Sequence, residues 1–308
     1  MHEALIVVRL AHFAAIMAVF GGSAFRCYGF AGSAMPAEPG ALALFDRWLA
    51  RLVLAGALVA LASGLIMVPC VTAVMAGSAD AALDPSTLGA VLVGTAFGRV
   101  WCWHLLVALL LVLAAGTPAR WRSGAVLGIA LPVLASLGLV GHAAGQGGLT
   151  GFGHEVNQSL HLLAAGLWLG GLLPLGWLLR RARHAESEGF AALVREAVPA
   201  FSQMGYAAVG VIAITGAINT LILVGSLGGL FGTAYGRLLS LKILLYLTMV
   251  AIALVNRFRI APGLLGESRP VASAAALYRS VLVEQALGLA ILVAVSVLGT
   301  WPPAAGGS

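Results

Sequence analysis

The chain has 308 residues, of which 61% are hydrophobic and 9% are charged. Soluble domains carry roughly 25% charged residues, so this composition excludes a soluble globular protein and indicates a chain that crosses a membrane many times. The net charge of +6 comes from 17 lysine and arginine residues against 11 aspartate and glutamate residues. In a membrane protein such an excess reports orientation and does not indicate a nucleic-acid partner.

Eight apolar runs are long enough to span the roughly 30 Å hydrocarbon core of a bilayer. We therefore predict an all-α polytopic membrane protein with eight transmembrane helices. Between the second and third of them, Ser86 or Thr87 is expected to cap a short interfacial helix. The predicted spans are 4–27, 48–75, 98–116, 122–142, 155–179, 200–224, 236–257 and 279–301.

Basic residues are distributed unevenly between the two sets of loops that these helices define. One set, with its adjoining helix ends, holds 13 of the 17 lysine and arginine residues. Positively charged loops stay in the cytoplasm, so both chain termini are predicted to face the periplasm of a bacterial inner membrane. The other side carries Arg9, Arg99, Arg237 and Lys242.

Short stretches of the chain recur at equivalent positions in the predicted topology. GTAFGR at 94–99 returns as GTAYGR at 232–237, which aligns His104 with Lys242. We predict two parallel four-helix repeats, 1–143 and 144–308, with a transport or cofactor site between them. Glycine pairs in the first and fifth spans predict a close helix approach. Shorter matches pair His12 with His161, each nine residues before a Gly-Gly pair, and Ser63-Gly64 with Thr215-Gly216.

Histidines concentrate in the half of the membrane that the topology places outside. In GHEVNQSLHLLAAGLW, at 153–168, His154, Gln158 and His161 lie at i, i+4 and i+7 and share one helix face. Polar groups at membrane depth cost several kcal/mol unless they are paired or liganded. The predicted metal ligands are His12, His104, His142, His154 and His161.

Other polar and sulfur-containing residues lie near these histidines in the predicted topology. Glu155, Asn219 and Lys242 are candidates to orient the imidazoles from an outer layer, although a Lys–Glu pair is the plainer interpretation. Soft sulfur ligands select Cu(I), yet methionine and cysteine also pack helices. The candidates for the outer layer or a pathway are Glu155, Gln158, Asn219, Lys242, Met17, Met67, Cys70 and Cys102.

Three segments resemble the copper resistance protein D (CopD) family of bacterial inner membranes. They are HEVNQSLHLLAAGLWLGGLLPL, FSQMGYAAVGVIAITGAINTLI and YGRLLSLKILLYLTMVAIALVNRF, and GTAFGRVWCWH fits the N-terminal half of longer members. The resemblance covers nearly the whole chain and is strongest over 150–260. It implies a role in copper homeostasis, inward movement of copper, and a partner of the CopC type, a small periplasmic copper-binding protein.

Three hypotheses for the function follow. The first is a copper carrier whose histidines bind copper on the periplasmic side and pass it between the two halves. The alternative is a b-type haem redox protein with His12 and His161 as the axial pair. A third is a copper sensor, or a docking partner for the periplasmic carrier, that does not transport. The sequence contains no nucleophile motif, Walker loop or Rossmann fingerprint, so we expect no enzyme activity.

Overall fold

The computed structural model describes residues 2–30, 39–117, 119–141, 148–183, 188–265 and 270–304, and every regular element among them is helical. The all-α prediction is therefore confirmed. The helices are α1 (His2–Tyr28), α2 (Pro39–Ala76), α3 (Pro85–Gly94), α4 (Ala96–Ala115), α5 (Ala119–Ser136), α6 (Gly148–Ala182), α7 (Glu188–Leu223), α8 (Leu227–Gly232), α9 (Ala234–Val255), α10 (Ala261–Leu265) and α11 (Pro270–Leu298).

Seven helical stretches in the described part of the chain are long and apolar enough to cross a membrane. They correspond to seven of the eight predicted spans, and the protein is a multi-pass membrane protein. The fourth predicted span coincides with α5, which continues as a 3₁₀ turn over Leu137–Leu139. Its described apolar part, Gly124–Leu139, is shorter than the other seven.

Several helices begin well before the apolar runs that predicted them. α2 begins at Pro39 instead of 48, and α7 begins at Glu188 instead of 200. The first turns of α7 carry charged residues, among them Arg195 and Glu196. Hydropathy detects only the part of a helix that lies in hydrocarbon, so polar turns outside the membrane were missed.

The short helix α3 was predicted, but its capping residue was predicted wrongly. The cap is Asp84, whose carboxylate accepts the Thr87 backbone N–H at 2.8 Å and the Ser86 hydroxyl at 2.6 Å. Hydrogen bonds from the Ser86 and Thr87 hydroxyls lower the pKa of Asp84 to about 2. An aspartate directly before the first helical residue satisfies the free N–H groups of the first turn, and Pro85 leaves one fewer to satisfy.

The GTAFGR and GTAYGR stretches adopt the same local structure. Thr95 caps α4 by accepting the Gly98 N–H at 2.9 Å, and Thr233 caps α9 by accepting the Gly236 N–H at 3.0 Å. Each threonine hydroxyl also donates to a carbonyl oxygen of the preceding short helix, α3 or α8, at 2.7 Å. Both stretches therefore place a short helix directly before a membrane-spanning one.

Helices α1 and α6 cross at the centre of the bundle. In α6, 67% of the residues in its most apolar stretch are buried, whereas the corresponding share for the span that begins with α9 is only 11%. A Cβ atom on Gly170 would overlap the Met17 carbonyl oxygen, and one on Gly21 would lie 2.6 Å from the Gly170 Cα. The backbones thus touch because neither glycine has a side chain, and the predicted close approach is confirmed.

The two ends of the bundle differ in their side chains. The start of α1 and the end of α11 meet where the Arg9 guanidinium packs against Gly299, and we call this the terminal end. At the opposite end Arg26 pairs with Asp46 at 2.6 Å, and Trp48 stacks on Trp177 with ring centroids 5.0 Å apart. We call that end the basic end, because it carries the arginine-rich loops.

Candidate metal centre

Two buried histidines from different membrane-spanning helices meet inside the first half of the chain. His12 on α1 and His104 on α4 are both fully buried, and their Nε2 atoms lie 3.1 Å apart. At 1.5 Å per residue they lie about 15 Å and 12 Å beyond the first residues of α1 and α4. The structure therefore brings together two of the five predicted ligands.

The proton positions on His12 follow from its hydroxyl neighbour. The Ser63 Oγ lies 2.6 Å from the Val59 carbonyl oxygen, and two oxygens approach so closely only with a proton between them. The carbonyl has no proton, so the serine donates to it. The Ser63 Oγ must then accept from the His12 Nδ1, 2.9 Å away. His12 thus carries its proton on Nδ1 and a lone pair on Nε2.

His104 is held in the same tautomer by Ser136 on α5. The Ser136 Oγ donates to the Val133 carbonyl oxygen at 2.8 Å and lies 2.7 Å from the His104 Nδ1. The imidazole N–H must therefore donate to the serine, which leaves a lone pair on the His104 Nε2 as well. Two lone pairs face each other at 3.1 Å. This arrangement is repulsive unless a cation, either a proton or a metal ion, lies between them.

Trp101 and Gly64 fix the positions of the two rings. Trp101 stacks on His104 with centroids 4.6 Å apart and an interplanar angle of 10°, and its indole N–H donates to the Gly64 carbonyl oxygen at 2.9 Å. A Cβ on Gly64 would lie 3.0 Å from Leu105 Cδ2 and 3.3 Å from His12 Cε1. The glycine therefore leaves the space that the His12 ring occupies.

His161 in the second half contacts a hydroxyl group, as His12 and His104 do, but it lies beside Lys242 instead of a second histidine. The Thr215 Oγ1 donates to the Val211 carbonyl oxygen at 2.6 Å and lies 2.8 Å from the His161 Nδ1. The same reasoning leaves a lone pair on the His161 Nε2. The ring lines an apolar cavity of about 490 Å³ together with Lys242, the residue that the repeat aligns with His104.

The other polar candidates lie at the terminal end, in a pocket whose lining includes neither His12 nor His104. His154, Gln158, Asn219 and Lys242 line one pocket there. Asn219 donates to Gln158 Oε1 at 2.8 Å and accepts from Asn157 at the same distance. Among the described side chains the ion pair that forms is Arg26–Asp46, so Glu155 and Lys242 make no salt bridge with each other.

The remaining candidates are dispersed. Met17, Met67 and Cys70 are buried in the hydrophobic core, and Cys102 is exposed. His142 lies outside the described residues. Within those ranges no group of three or more histidine, cysteine, aspartate or glutamate side chains is arranged to hold a metal ion. Of the predicted ligands that the structure describes, the pair brought into contact is His12 and His104.

The predicted haem pair is not assembled in this arrangement. Both ring nitrogens of His12 have partners inside the first half, Ser63 and His104, and the Nδ1 of His161 is bonded to Thr215. Binding a haem iron through His12 would first require breaking its contact with His104.

The sequence interpretation missed Ser136, Trp101 and Asn157 as contributors to these sites. Ser136 is one hydroxyl in a long apolar run, and Trp101 is a buried aromatic residue in another. A serine that falls in the middle of a span is the available signal, because such a hydroxyl must bond within its helix or to a neighbour.

Two family models and several known proteins match the chain. Residues 1–152 match the family model "Copper resistance protein D-like, N-terminal domain", and residues 195–298 match the model "Copper resistance protein D". The inner membrane protein YebZ of Escherichia coli (strain K12) is 32% identical over 303 residues, covering 97% of this chain and 98% of YebZ. No solved structure matches the chain.

Two further relatives carry copper in their names. Copper resistance protein D of Pseudomonas syringae pv. tomato is 28% identical over 305 residues, covering 97% of this chain and 96% of that protein. Copper transport protein CutJ of Bacillus subtilis (strain 168) is 28% identical over 263 residues. That match covers 82% of this chain and 46% of CutJ.

Proposed function

The chain belongs to the copper resistance protein D family, and on that premise we propose that it binds copper between His12 and His104 and passes it from the periplasm to the cytoplasm. The observation that carries the proposal is the approach of two Nε2 lone pairs to 3.1 Å. With metal–nitrogen bonds of about 2.0 Å, nitrogens at this separation subtend an angle of about 100° at a shared ion. Imidazole nitrogen suits copper.

The hydroxyl groups of Ser63 and Ser136 support a metal more than a simple hydrogen bond between the rings. Metal-binding histidines nearly always donate their other ring N–H to an oxygen, which fixes the tautomer and the ring orientation. Both rings meet this condition through Nδ1. Neutral ligands also avoid placing anionic side chains in the hydrocarbon region.

The names of the relatives support the cargo and the location. The printed names of the Pseudomonas and Bacillus proteins contain "copper resistance" and "copper transport", and that of the Escherichia protein contains "inner membrane". We place this chain in a bacterial inner membrane with both termini in the periplasm, as the positive-inside rule favours. A periplasmic copper-binding protein of the CopC type would then deliver the ion at the terminal end.

Two related halves, 1–143 and 144–308, give the proposed carrier its organisation. The equivalent caps at Thr95 and Thr233 and the equivalent bonds from His12 to Ser63 and from His161 to Thr215 support this division. The close crossing of α1 and α6 then joins the halves. His161 would be a second stopping point for the ion, with His154, His142 and the sulfur atoms of Met17, Met67, Cys70 and Cys102 as further candidates along the path.

Elemental analysis of the purified protein tests the centre. Wild type should retain copper after desalting, and the His12→Ala and His104→Ala variants should each lose it, because one imidazole alone makes a weak site. His2→Ala is the matched control, since His2 is exposed at the start of α1. Unchanged copper content in both buried variants would refute the centre. A Soret band in the visible spectrum would favour the haem alternative.

Uptake into proteoliposomes separates a carrier from a sensor or a docking partner. Wild-type protein should carry external copper into the vesicle, and His104→Ala should not. If wild-type protein binds copper but no copper enters the vesicle lumen, the result would contradict transport. Only the binding part of the proposal would then stand.

A further inference from the structure

A second pocket, separate from the His12–His104 pair, is lined by basic and amide side chains. It has a volume of about 120 Å³ and lies at the terminal end, where α1, α6, α7, α9 and α11 meet. Arg9, Lys242 and His154 contribute its basic groups, and Gln158 and Asn219 its amides. Among the described residues that line it, none is acidic. The charged groups of this pocket therefore favour an anionic occupant.

Arg9 is the group in this pocket that most needs a hydrogen-bond acceptor. Its side chain is half-buried, and its Nε atom is buried without a hydrogen-bond partner among the described residues. The guanidinium lies 5.6 Å from the centroid of the Phe13 ring and packs against Gly299. Because the Nε atom is withdrawn from water and no acidic side chain lines the described part of the pocket, the guanidinium lacks a counter-charge there. An anion in the pocket would supply that counter-charge.

The amide chain next to Arg9 leaves a donor for the same occupant. Asn157 donates to Asn219, and Asn219 donates to the carbonyl oxygen of Gln158. The Gln158 carbonyl oxygen is therefore engaged, and its NH₂ group is the end left to donate. Guanidinium, ammonium and amide donors that line the same pocket suit the oxygens of a carboxylate or a phosphate.

An apolar cavity adjoins the pocket of Arg9 and Lys242, which we call the basic pocket although it lies at the terminal end. The cavity of about 490 Å³ that contains His161 shares Gly216, Thr220, Leu239 and Lys242 with it. Its other walls are mostly apolar, for example Ile212, Leu221 and Leu247. The last two are exposed on the outside of the bundle, where the bilayer would lie. Lys242 thus stands at the border between a polar pocket and an apolar one.

We propose that these two cavities form one site for an anionic amphiphile, with its carboxylate or phosphate head at Arg9 and Lys242 and its hydrocarbon tail in the apolar cavity. The ligand differs in charge from copper, and the site shares no residue with the His12–His104 pair. The proposal therefore stands apart from the copper centre proposed at His12 and His104, and it overlaps the copper path only at His154 and His161. The head chemistry is shared by a lipid and by a free anion, so the test contains one arm for each source.

Native mass spectrometry of the full-length protein in neutral detergent provides the test, without copper. Phosphatidylglycerol and phosphatidylcholine of equal chain length are the lipid probes, and inorganic phosphate is the free anion. Wild type should retain phosphatidylglycerol at least about tenfold better than phosphatidylcholine, the equivalent of 1.4 kcal/mol. Arg9→Gln with Lys242→Gln should abolish this preference. Arg99→Gln with Arg237→Gln is the control, because it removes two exposed arginines and the same charge.

Each outcome bears on the proposal. Lipid preference in wild type that disappears in the double variant supports an amphiphile. Binding of inorganic phosphate that disappears in the same variant supports the anion site and assigns it to a free anion. The proposal would be overturned if wild type bound neither phosphatidylglycerol nor inorganic phosphate. It would also be overturned if the double variant bound them as well as wild type does. The single variants Arg9→Gln and Lys242→Gln, each expected to weaken binding, serve if the double variant does not fold.

Discussion

Ser63 and Ser136 show how one hydroxyl group can fix the tautomer of an imidazole ring. Each donates its single proton to a carbonyl oxygen of its own helix, so each can only accept from the histidine it touches. The neighbouring Nε2 atoms are thereby left as lone pairs. Of this arrangement, His12, His104 and the match between Ser63 and Thr215 were visible in the sequence.

The pairing of the histidines was not visible. The haem hypothesis paired His12 with His161 across the two halves, whereas the structure pairs His12 with His104 inside one half. Sequence position gives the depth of a residue along its helix but not the rotation of that helix. Rotation depends on packing, here on Trp101 stacked against His104 and on Gly64 beside His12.

Replacing Ser63 by alanine should weaken copper binding without removing a ligand. His12 would lose the acceptor that holds its proton on Nδ1, so the lone pair on Nε2 would no longer be fixed. We expect a loss of about 10–100-fold in copper affinity, the usual effect of removing such a partner. Competition with a chelator of known affinity measures it.

The conservative variant and a matched control make this result specific. Ser63→Thr should restore affinity, because threonine plays the same part beside His161. Ser240→Ala should leave affinity unchanged, since the Ser240 hydroxyl donates to a carbonyl oxygen of its own helix, that of Gly236. Equal affinity in Ser63→Ala and wild type would show that the hydroxyl does not orient the ring.

At the scale of helices, the contact between α1 and α6 is the feature best predicted from the sequence. Gly-Gly pairs in apolar helices predict close approach, and the backbones do meet at Gly21 and Gly170. The starts of α2 and α7 were predicted poorly because charged residues, Asp46 and Arg47 in α2 and Arg195 and Glu196 in α7, interrupt the apolar pattern there. The π-helical turn at Asn256–Ile260 was not predicted, since its residues carry no distinctive pattern.

Gly170→Ala should destabilise the bundle. Its Cβ would overlap the Met17 carbonyl oxygen, and a backbone atom cannot rotate away as a side chain can. We expect a loss of at least about 1–3 kcal/mol, the range for overpacked cores, seen as a lower Tm in detergent. Gly210→Ala is the control, because nothing lies within 4 Å of a Cβ there. A Tm as high in Gly170→Ala as in wild type would contradict the close crossing.

Asp84 gives α3 a pH dependence of defined sign. Its folded-state pKa is lowered from 3.8 to about 2 by the Ser86 and Thr87 hydroxyls, so the cap stabilises α3 above pH 3.8 and is lost as pH falls through about 2. Asp84→Ala should raise hydrogen exchange in α3 at neutral pH, while Asp84→Asn, which retains a capping oxygen, should not. Equal exchange in Asp84→Ala and wild type would argue against the cap.

At the scale of the whole molecule, the sequence predicted the class of the protein but not its cavities. Composition and hydropathy were sufficient for an all-α membrane protein, and the order of its motifs was sufficient for the family. The basic pocket at Arg9 and Lys242 combines residues from five helices. Such a combination depends on the helix arrangement, which no local pattern encodes.

Copper binding by the intact protein should weaken in acid. Both Nε2 atoms must be free of protons to bind the ion, and a single proton between them satisfies the facing lone pairs. Protons therefore compete with copper for the pair, and affinity should be lower at pH 5.5 than at pH 7.5, by up to about tenfold for each pH unit over which the pair holds that proton. Copper titrations at the two pH values measure this, and equal affinity would exclude competition by protons.

X-ray absorption spectroscopy at the copper edge of the purified, copper-loaded protein tests the central claim most directly. The paired lone pairs of His12 and His104 predict scattering from two imidazole rings bonded at about 2.0 Å, with one ring lost in the His104→Ala variant. A spectrum dominated by sulfur, or one that is the same in wild type and in His104→Ala, would contradict the account.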